Sequence, residues 1–221
     1  MIDTSYVDVI FPLKGRLLPL DNGYLVYSAL SRLCPNIHEL NGIGIHPIAG
    51  KPNRYKQLKL TNQSKLKIRI ALEQIPSIYQ FLVDQTFKIG ESQFHIGIPD
   101  EYKALTSAPS LYSRLVIIRR CIEPQVFIEA AQGQLEKLGI TGKINLLQKP
   151  NGQLQCRQLV MRKEEGIFPL IGYGVEVTDL SKSDSIKLQQ HGIGGKRKMM
   201  CGVFVPSWKN NDPSHDISQS T

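Results

Sequence analysis

Hydrophobic and polar positions along this chain trace the same succession of elements twice. Val7, Val9 and Phe11 alternate with Tyr6, Asp8 and Ile10, which predicts a strand with one buried face. Val26, Tyr27, Leu30, Leu33 and Cys34 then share one helical stripe. Asp21 or Asn22 can cap that helix, and Pro35 ends it. A glycine-rich connector over residues 41–50 leads to a second strand at 57–60. Leu66, Ile68, Ile70 and Leu72 alternate with Lys65, Lys67 and Arg69, so the next strand has an apolar face and a cationic one. Ile75, Ile78, Tyr79 and Leu82 mark a second helix, and 87–98 forms one long strand or a hairpin about Gly90.

Residues 99–109 have the turn chemistry of a short linker, after which the pattern restarts. Residues 111–118 are nearly all apolar and predict a central strand. Pro124 opens a helix carrying Phe127, Ala131, Leu135 and Leu138, and Gly139 stops it. Strands at 142–148 and 154–161 flank Lys149-Pro150-Asn151-Gly152, whose Asn-Gly is a hairpin signal. A strand at 171–177 follows, then a short helix capped by Ser181 or Ser183 and ending at His191-Gly192, then a last strand to Val205.

Strand, helix, strand, strand, helix, strand is the ferredoxin-like order. The expectation is an α+β chain of two tandem ferredoxin-like (RRM-type) domains with antiparallel sheets. Residues 1–106 form the first, 107–206 the second, and 207–221, polar with one Trp208, a flexible tail.

Charge narrows the partners. The 221 residues carry 27 Lys and Arg against 19 Asp and Glu, a net +8 with pI near 9.3, which favours a polyanion. No apolar run approaches the ~20 residues of a membrane span. The acid-bearing N-terminus has no signal-peptide pattern, so a cytoplasmic location without a membrane is expected. Cys34, Cys121, Cys156 and Cys201 form no C-x-x-C pair and read as free thiols.

One stretch stands out: His191-Gly192-Ile193-Gly194-Gly195-Lys196-Arg197-Lys198-Met199-Met200-Cys201-Gly202. Gly195-Lys196 is followed by Arg197 rather than Ser or Thr, so it is no Walker A loop. A helix precedes and a strand follows, the reverse of a dinucleotide fingerprint. What remains is a loop whose glycines admit a ligand closely and whose cations grip an RNA backbone, with a plain surface turn as the bland alternative. Proton transfer near neutrality calls for histidine. His46, before Pro47 with Lys51 and Arg54 close behind, is the leading candidate, on an extended loop; an ordinary exposed loop histidine is the alternative. His191, at the mouth of the basic loop, is the rival, although a histidine in a last helical turn also simply complements the helix dipole. His38, on a single turn after Pro35, and His95, in a strand, read as structural; His215 falls in the tail. No metal-ligand spacing is visible, so neither metal nor cofactor is expected.

Taken together, the residues Leu188 to Pro206 and Gly44-Ile45-His46-Pro47-Ile48 resemble the CRISPR-associated endoribonucleases that process CRISPR precursor RNA, the sixth Cas family of the RAMP superfamily, and look closest to its I-MYXAN branch. The likeness runs over about residues 5–206, with Met200 standing where glycine is expected. It implies a metal-independent cut in which the RNA 2′-hydroxyl attacks the adjacent phosphate, leaving a 2′,3′-cyclic phosphate and a 5′-hydroxyl. It implies catalysis by His46 with Lys51 as charge stabiliser, and leaves Tyr24 or Tyr27 to orient the nucleophile. RNA would be held by Gly192, Gly194, Gly195, Lys196, Arg197, Lys198 and Gly202. The implied partners are CRISPR repeat RNA, both hairpin and flanking single strand, and other subunits of a Cascade-type guide complex. Whether transposition proteins join them is left open, as are a non-catalytic RAMP subunit and a general basic RNA-binding protein.

Overall fold

The computed structural model describes residues 5–207; the predicted tail, with Trp208 and His215, lies almost wholly outside the described residues. The N-terminal unit runs β1 (Tyr6–Lys14), β2 (Leu17–Pro19), α1 (Gly23–Leu33), β3 (Gly44–Ile45), β4 (Lys51–Pro52), β5 (Gln57–Lys59), β6 (Lys65–Ala71), α2 (Ile75–Leu82), β7 (Thr86–Ile89), β8 (Ser92–Ile96) and β9 (Glu101–Ala104). The C-terminal unit runs β10 (Leu111–Val116), α3 (Pro124–Lys137), β11 (Lys143–Leu146), β12 (Cys156–Lys163), β13 (Gly166–Thr178), α4 (Lys182–His191) and β14 (Val205–Pro206). The sheets are ordered β3-β6-β1-β8-β7 and β11-β13-β10-β14. In both, the first strand lies between the third and the last, which is the ferredoxin-like arrangement built twice with antiparallel pairing.

Each sheet buries one face under its helices. Val9, Phe11, Leu66, Ile68 and Ile70 meet Val26, Leu30 and Ile78 in the first core. Phe127, Ala131 and Leu135 of α3 and Leu188 of α4 meet Leu111, Val175 and Val177 in the second. The alternation read for β1 and β6 therefore marks their core faces, with Val9, Phe11, Leu66 and Ile68 fully buried.

Several expectations are corrected. The strand beside β6 is not 57–60 but the two-residue β3, pairing Gly44 with Arg69 and Ile45 with Ile68. So short a strand, half of it glycine, carries too few side chains to alternate visibly. Residues 57–59 instead join β2 and β4 in a separate three-stranded sheet, ordered β2-β5-β4. Within the expected linker, β9 pairs with β1 on the edge opposite β6, so that stretch is part of the first sheet. Neither Asp21 nor Asn22 caps α1 by its side chain. Asn22 Nδ2 donates back to the Pro19 carbonyl at 3.0 Å, and Asp21 Oδ2 accepts the Val160 N–H from the other unit at 2.7 Å. The Asn-Gly turn forms, with Gly152 at φ 81, but the strands beside it, β11 and β12, pair chiefly with successive stretches of β13. The 87–98 segment is a hairpin, with Gly90 at φ 57.

Candidate active site

The two units are joined by two arginines. Arg69, on β6, is 1 % exposed and grips Asp8 of β1 through Nε at 2.7 Å and Nη2 at 2.9 Å. Its Nη1 crosses to the other unit, donating to the carbonyls of Phe204 at 2.6 Å and Gln189 at 3.2 Å. Arg197, from the glycine loop, crosses in the opposite direction. Its Nη1 donates to Gly42 O at 3.1 Å and to Gln190 O at 2.6 Å, and its Nη2 to Gln189 O at 3.2 Å. Burial and the nearby Arg69 lower the Arg197 guanidinium to about 10, so it stays cationic at neutral pH. A guanidinium suits this task because its planar fork serves several carbonyls at once.

The glycines of the loop serve the protein's own backbone. Gly192 (φ 63) and Gly202 (φ 63) pass against one another. A Cβ on Gly192 would meet Gly202 O at 2.2 Å, and one on Gly202 would meet Ile193 O at 2.3 Å. Gly194 donates to Gln134 Oε1 at 2.7 Å, and Gly195 to Ile117 O at 2.8 Å, stitching the loop to α3 and to the end of β10. Met200 stands at φ 66, the left-handed conformation in which glycine is unstrained, with its side chain buried. Of the three loop cations, Lys196 is exposed and Lys198 donates to the His38 carbonyl at 2.5 Å. Lys196 and Lys198 therefore offer charge to the surface, whereas Arg197 is occupied internally.

His46 is not on an open loop. It directly follows β3, its N–H donates to Lys67 O at 2.9 Å, and it is 6 % exposed. Its Nε2 lies 3.1 Å from Asp8 Oδ1, the oxygen that Arg69 Nε also holds. Burial lowers its pKa despite Asp8, so the neutral ring donates Nε2–H to the carboxylate. Asp8 is itself pushed up by burial, but His46 and Arg69 outweigh this and hold it well below the usual carboxylate range. His46 is thus a member of the buried network that frames the two units. Lys51 is also remote from it: it lies in the small sheet, directly opposite Lys59.

The exposed chemistry gathers eight residues earlier. After α1, Pro35–His38 makes a single 3-10 turn that places the His38 side chain, 60 % exposed, over the end of the helix. His38 Nδ1 lies 2.5 Å from the Pro35 carbonyl and donates to it, and Nε2 lies 3.5 Å from a Glu39 carboxylate oxygen, so both ring nitrogens have an acceptor beside them. His38 shares a hollow with Tyr24, Tyr27, Ser28 and Ser31. Tyr27 also borders a cleft of about 510 Å³ walled by Gly42, His191, Lys196 and Lys198. Side chains of α1 thus connect an exposed imidazole to a basic loop from the other unit. A sequence signal for this existed: Tyr24, Tyr27, Ser28 and Ser31 are spaced i, i+3, i+4, i+7, a hydroxyl-bearing stripe beside the apolar one. Of the other histidines, His191 is exposed in the last turn of α4, and His95 Nε2 lies 3.3 Å from Asp84.

Two ferredoxin-like units are thus docked through paired arginines, with a basic loop of the second facing the first helix. Comparison with known proteins gives the family. The family model described as Cas6 Crispr matches residues 7–209, and the chain belongs to that family. It is 30 % identical over 201 residues to the CRISPR-associated endonuclease Cas6 of Myxococcus xanthus (strain DK1622), covering 91 % of this chain and 81 % of that protein. Among solved structures it resembles a CRISPR associated protein Cas6 (TM-score 0.64, 10 % identity, covering 91 % of this chain and 99 % of that one). It also resembles a RAMP protein described as binding different RNA substrates (TM-score 0.63, 15 % identity, 90 % and 98 % covered). A third likeness is to a Cas6-related protein of Pyrococcus furiosus (TM-score 0.61, 12 % identity, 93 % and 100 % covered). Among the described residues no helix is long and apolar enough to cross a membrane.

Proposed function

We propose that this protein is an endoribonuclease that cuts CRISPR repeat RNA without a metal ion, with His38 rather than His46 as its proton-transfer group. The observation that carries this reading is the exposed His38 ring, in a hollow that shares Tyr27 with the cleft bordered by Lys196 and Lys198, and with Lys198 bonded to the His38 carbonyl. The family membership and the endonuclease named among the relatives supply the substrate class.

The chemistry follows from what such a site can supply. The 2′-oxygen attacks the neighbouring phosphorus while its proton passes to His38 Nε2. The bond from phosphorus to the 5′-oxygen breaks, and that oxygen takes up a proton from water, leaving a 2′,3′-cyclic phosphate and a 5′-hydroxyl. A positioned acid–base group contributes about 10²–10⁴-fold to such a step. Lys198, tied to the carbonyl of His38 itself, and Lys196 bring positive charge to where the phosphorane develops negative charge. The Tyr27 side chain borders both hollows and is placed to orient the nucleotide. RNA stems are recognised through backbone and shape, which suits this cationic mouth. The product would stay with the protein as part of a guide complex.

The test is cleavage of the cognate repeat RNA in EDTA, with end-group analysis of the products. His38→Ala is expected to lower the rate by at least about a hundredfold while leaving RNA affinity within about threefold. A requirement for Mg²⁺, a product ending in 3′-hydroxyl, or full activity in His38→Ala would each reject the mechanism. Binding without any cleavage by the wild type would favour the non-catalytic RAMP subunit.

A further inference from the structure

From residue 40 to residue 72 the chain carries seven cations, Lys51, Arg54, Lys56, Lys59, Lys65, Lys67 and Arg69, and no Asp or Glu. Arg69 and Lys65 find partners, in Asp8 and Asp100 respectively. Among the described residues, no carboxylate lies within ion-pair distance of Lys51, Arg54, Lys56 or Lys59. All four belong to the three-stranded sheet or the turn between β4 and β5.

That sheet is built to present charge outward. Leu18 and Leu58 are opposite one another and buried, fastening one face to the first core. On the other, Lys51 and Lys59 are exposed and directly opposed across β4 and β5. Like charges in that register weaken a sheet. The turn above them is rigid: Asn53 Oδ1 accepts the N–H groups of Tyr55 at 2.9 Å and Gln57 at 3.0 Å. It holds Tyr55 66 % exposed, with the Arg54 guanidinium 4.8 Å from its ring centroid and Lys56 next to it. A large aromatic so displayed, with Arg54 over its ring and bonded to its hydroxyl at 2.6 Å, and with Lys56 beside it above an opposed lysine pair, has the two elements of a single-strand platform: an aromatic for a base and charges for phosphates.

We infer that this basic sheet and its Arg54-Tyr55-Lys56 turn form a second RNA site, which stacks an unpaired base on Tyr55 and holds the adjoining phosphates with Lys51 and Lys59. Its position fits a strand that continues out of the cleft. β2 leads through residues 20–22 into α1, and the first residue of α1, Gly23, packs on the Met199 carbonyl of the glycine loop. The inference extends the reading of the protein as a repeat-RNA endonuclease, since it names the site for the single-stranded part of that RNA, but it is tested without cleavage.

The experiment is fluorescence anisotropy on the full chain with labelled oligouridine of about 12 nucleotides, which has no hairpin and no cut site. Tyr55→Ala is expected to weaken binding about tenfold and Tyr55→Phe by less than about twofold, because the phenyl face is kept. Lys51→Ala with Lys59→Ala should lower the slope of log affinity against log salt by about 1.4, at about 0.7 per phosphate contact on a single strand. Lys143→Ala, an exposed lysine of β11, sets the baseline for a charge outside the site. Equal affinity of Tyr55→Ala and wild type, equal losses on a blunt RNA duplex, or no binding of oligouridine by the wild type would each overturn the inference. Loss of repeat cleavage activity with these oligouridine effects intact would instead count against the endonuclease reading alone.

Discussion

Two histidines eight residues apart in the chain have opposite fates. His46 is packed against Asp8 and Arg69 at the junction of the two units, and its backbone N–H is held by Lys67. His38 sits on a single turn, its Nδ1 tied to Pro35 and its side chain 60 % exposed beside Glu39. The neighbours in sequence favoured His46, which has glycines before it and cations after it. Those neighbours do not surround it in space. Glycine next to a histidine signals an open loop only if the glycine is used for conformation. Gly44 is instead needed because a Cβ there would press on Val203 at 3.1 Å and on the Arg197 guanidinium at 3.3 Å.

The contrast can be broken most sharply by breaking the buried side. Arg69→Met removes a guanidinium that ties Asp8 to two carbonyls of the other unit, leaving an uncompensated carboxylate. It should destabilise the protein by about 3–5 kcal/mol, read by urea unfolding. His38→Ala, in contrast, should shift stability by no more than about 0.5 kcal/mol, as expected for an exposed side chain, while removing most cleavage. If the two variants behaved alike in both measurements, the division into frame and site would fail.

His46→Ala separates the histidines next. Loss of the hydrogen bond to Asp8 and of buried volume should lower stability by about 1–3 kcal/mol. Below the unfolding temperature, cleavage per folded molecule should stay within about fivefold of wild type. A hundredfold loss of rate in a stably folded His46→Ala protein would return the chemistry to His46.

A pH series sharpens the same comparison. Burial lowers the folded pKa of His46, so the unfolded chain binds a proton more readily than the folded one. The stability that His46 contributes as a neutral ring is complete above the unfolded value of ~6.5 and falls as the pH drops toward the folded value. Asp8, held low, contributes stability that persists until far more acid conditions, below the ordinary carboxylate range of ~3.9. Wild type should therefore lose more stability between pH 7 and 5 than His46→Gln does, and equal slopes would contradict a neutral buried ring.

The smallest expected effect concerns the basic loop. Lys196→Ala and Lys198→Ala should each weaken RNA binding modestly and reduce its salt slope by up to about 0.9 on paired RNA backbone. Arg197→Ala should instead lower stability, because its donors serve Gly42 across the junction and Gln189 and Gln190 of its own unit. A purely electrostatic effect of Arg197→Ala, with stability unchanged, would place that side chain back on the RNA.

How much of this was legible varies with the length of the signal. The ferredoxin-like order was readable because β1, β6 and α3 are long enough for their apolar period to show. β3 was not, because two residues carry no period. The departure of residues 57–59 into a separate sheet was hidden for a related reason: alternation states that one face is buried, not which strand lies alongside.

For the candidate site the sequence determined the supply of chemistry: five histidines, a cluster of cations bracketed by glycines, and a stripe of hydroxyls on α1. Only the tertiary structure decided which of these groups face water. Burial depends on partners far away in the chain, as Asp8 and Arg69 are from His46, and Gln189 and Phe204 are from Arg69. The glycine loop shows the same division. Its composition belongs to the sequence, but the occupation of Arg197 by backbone carbonyls, and the release of Lys196 to the surface, follow from how two separately folded sheets meet.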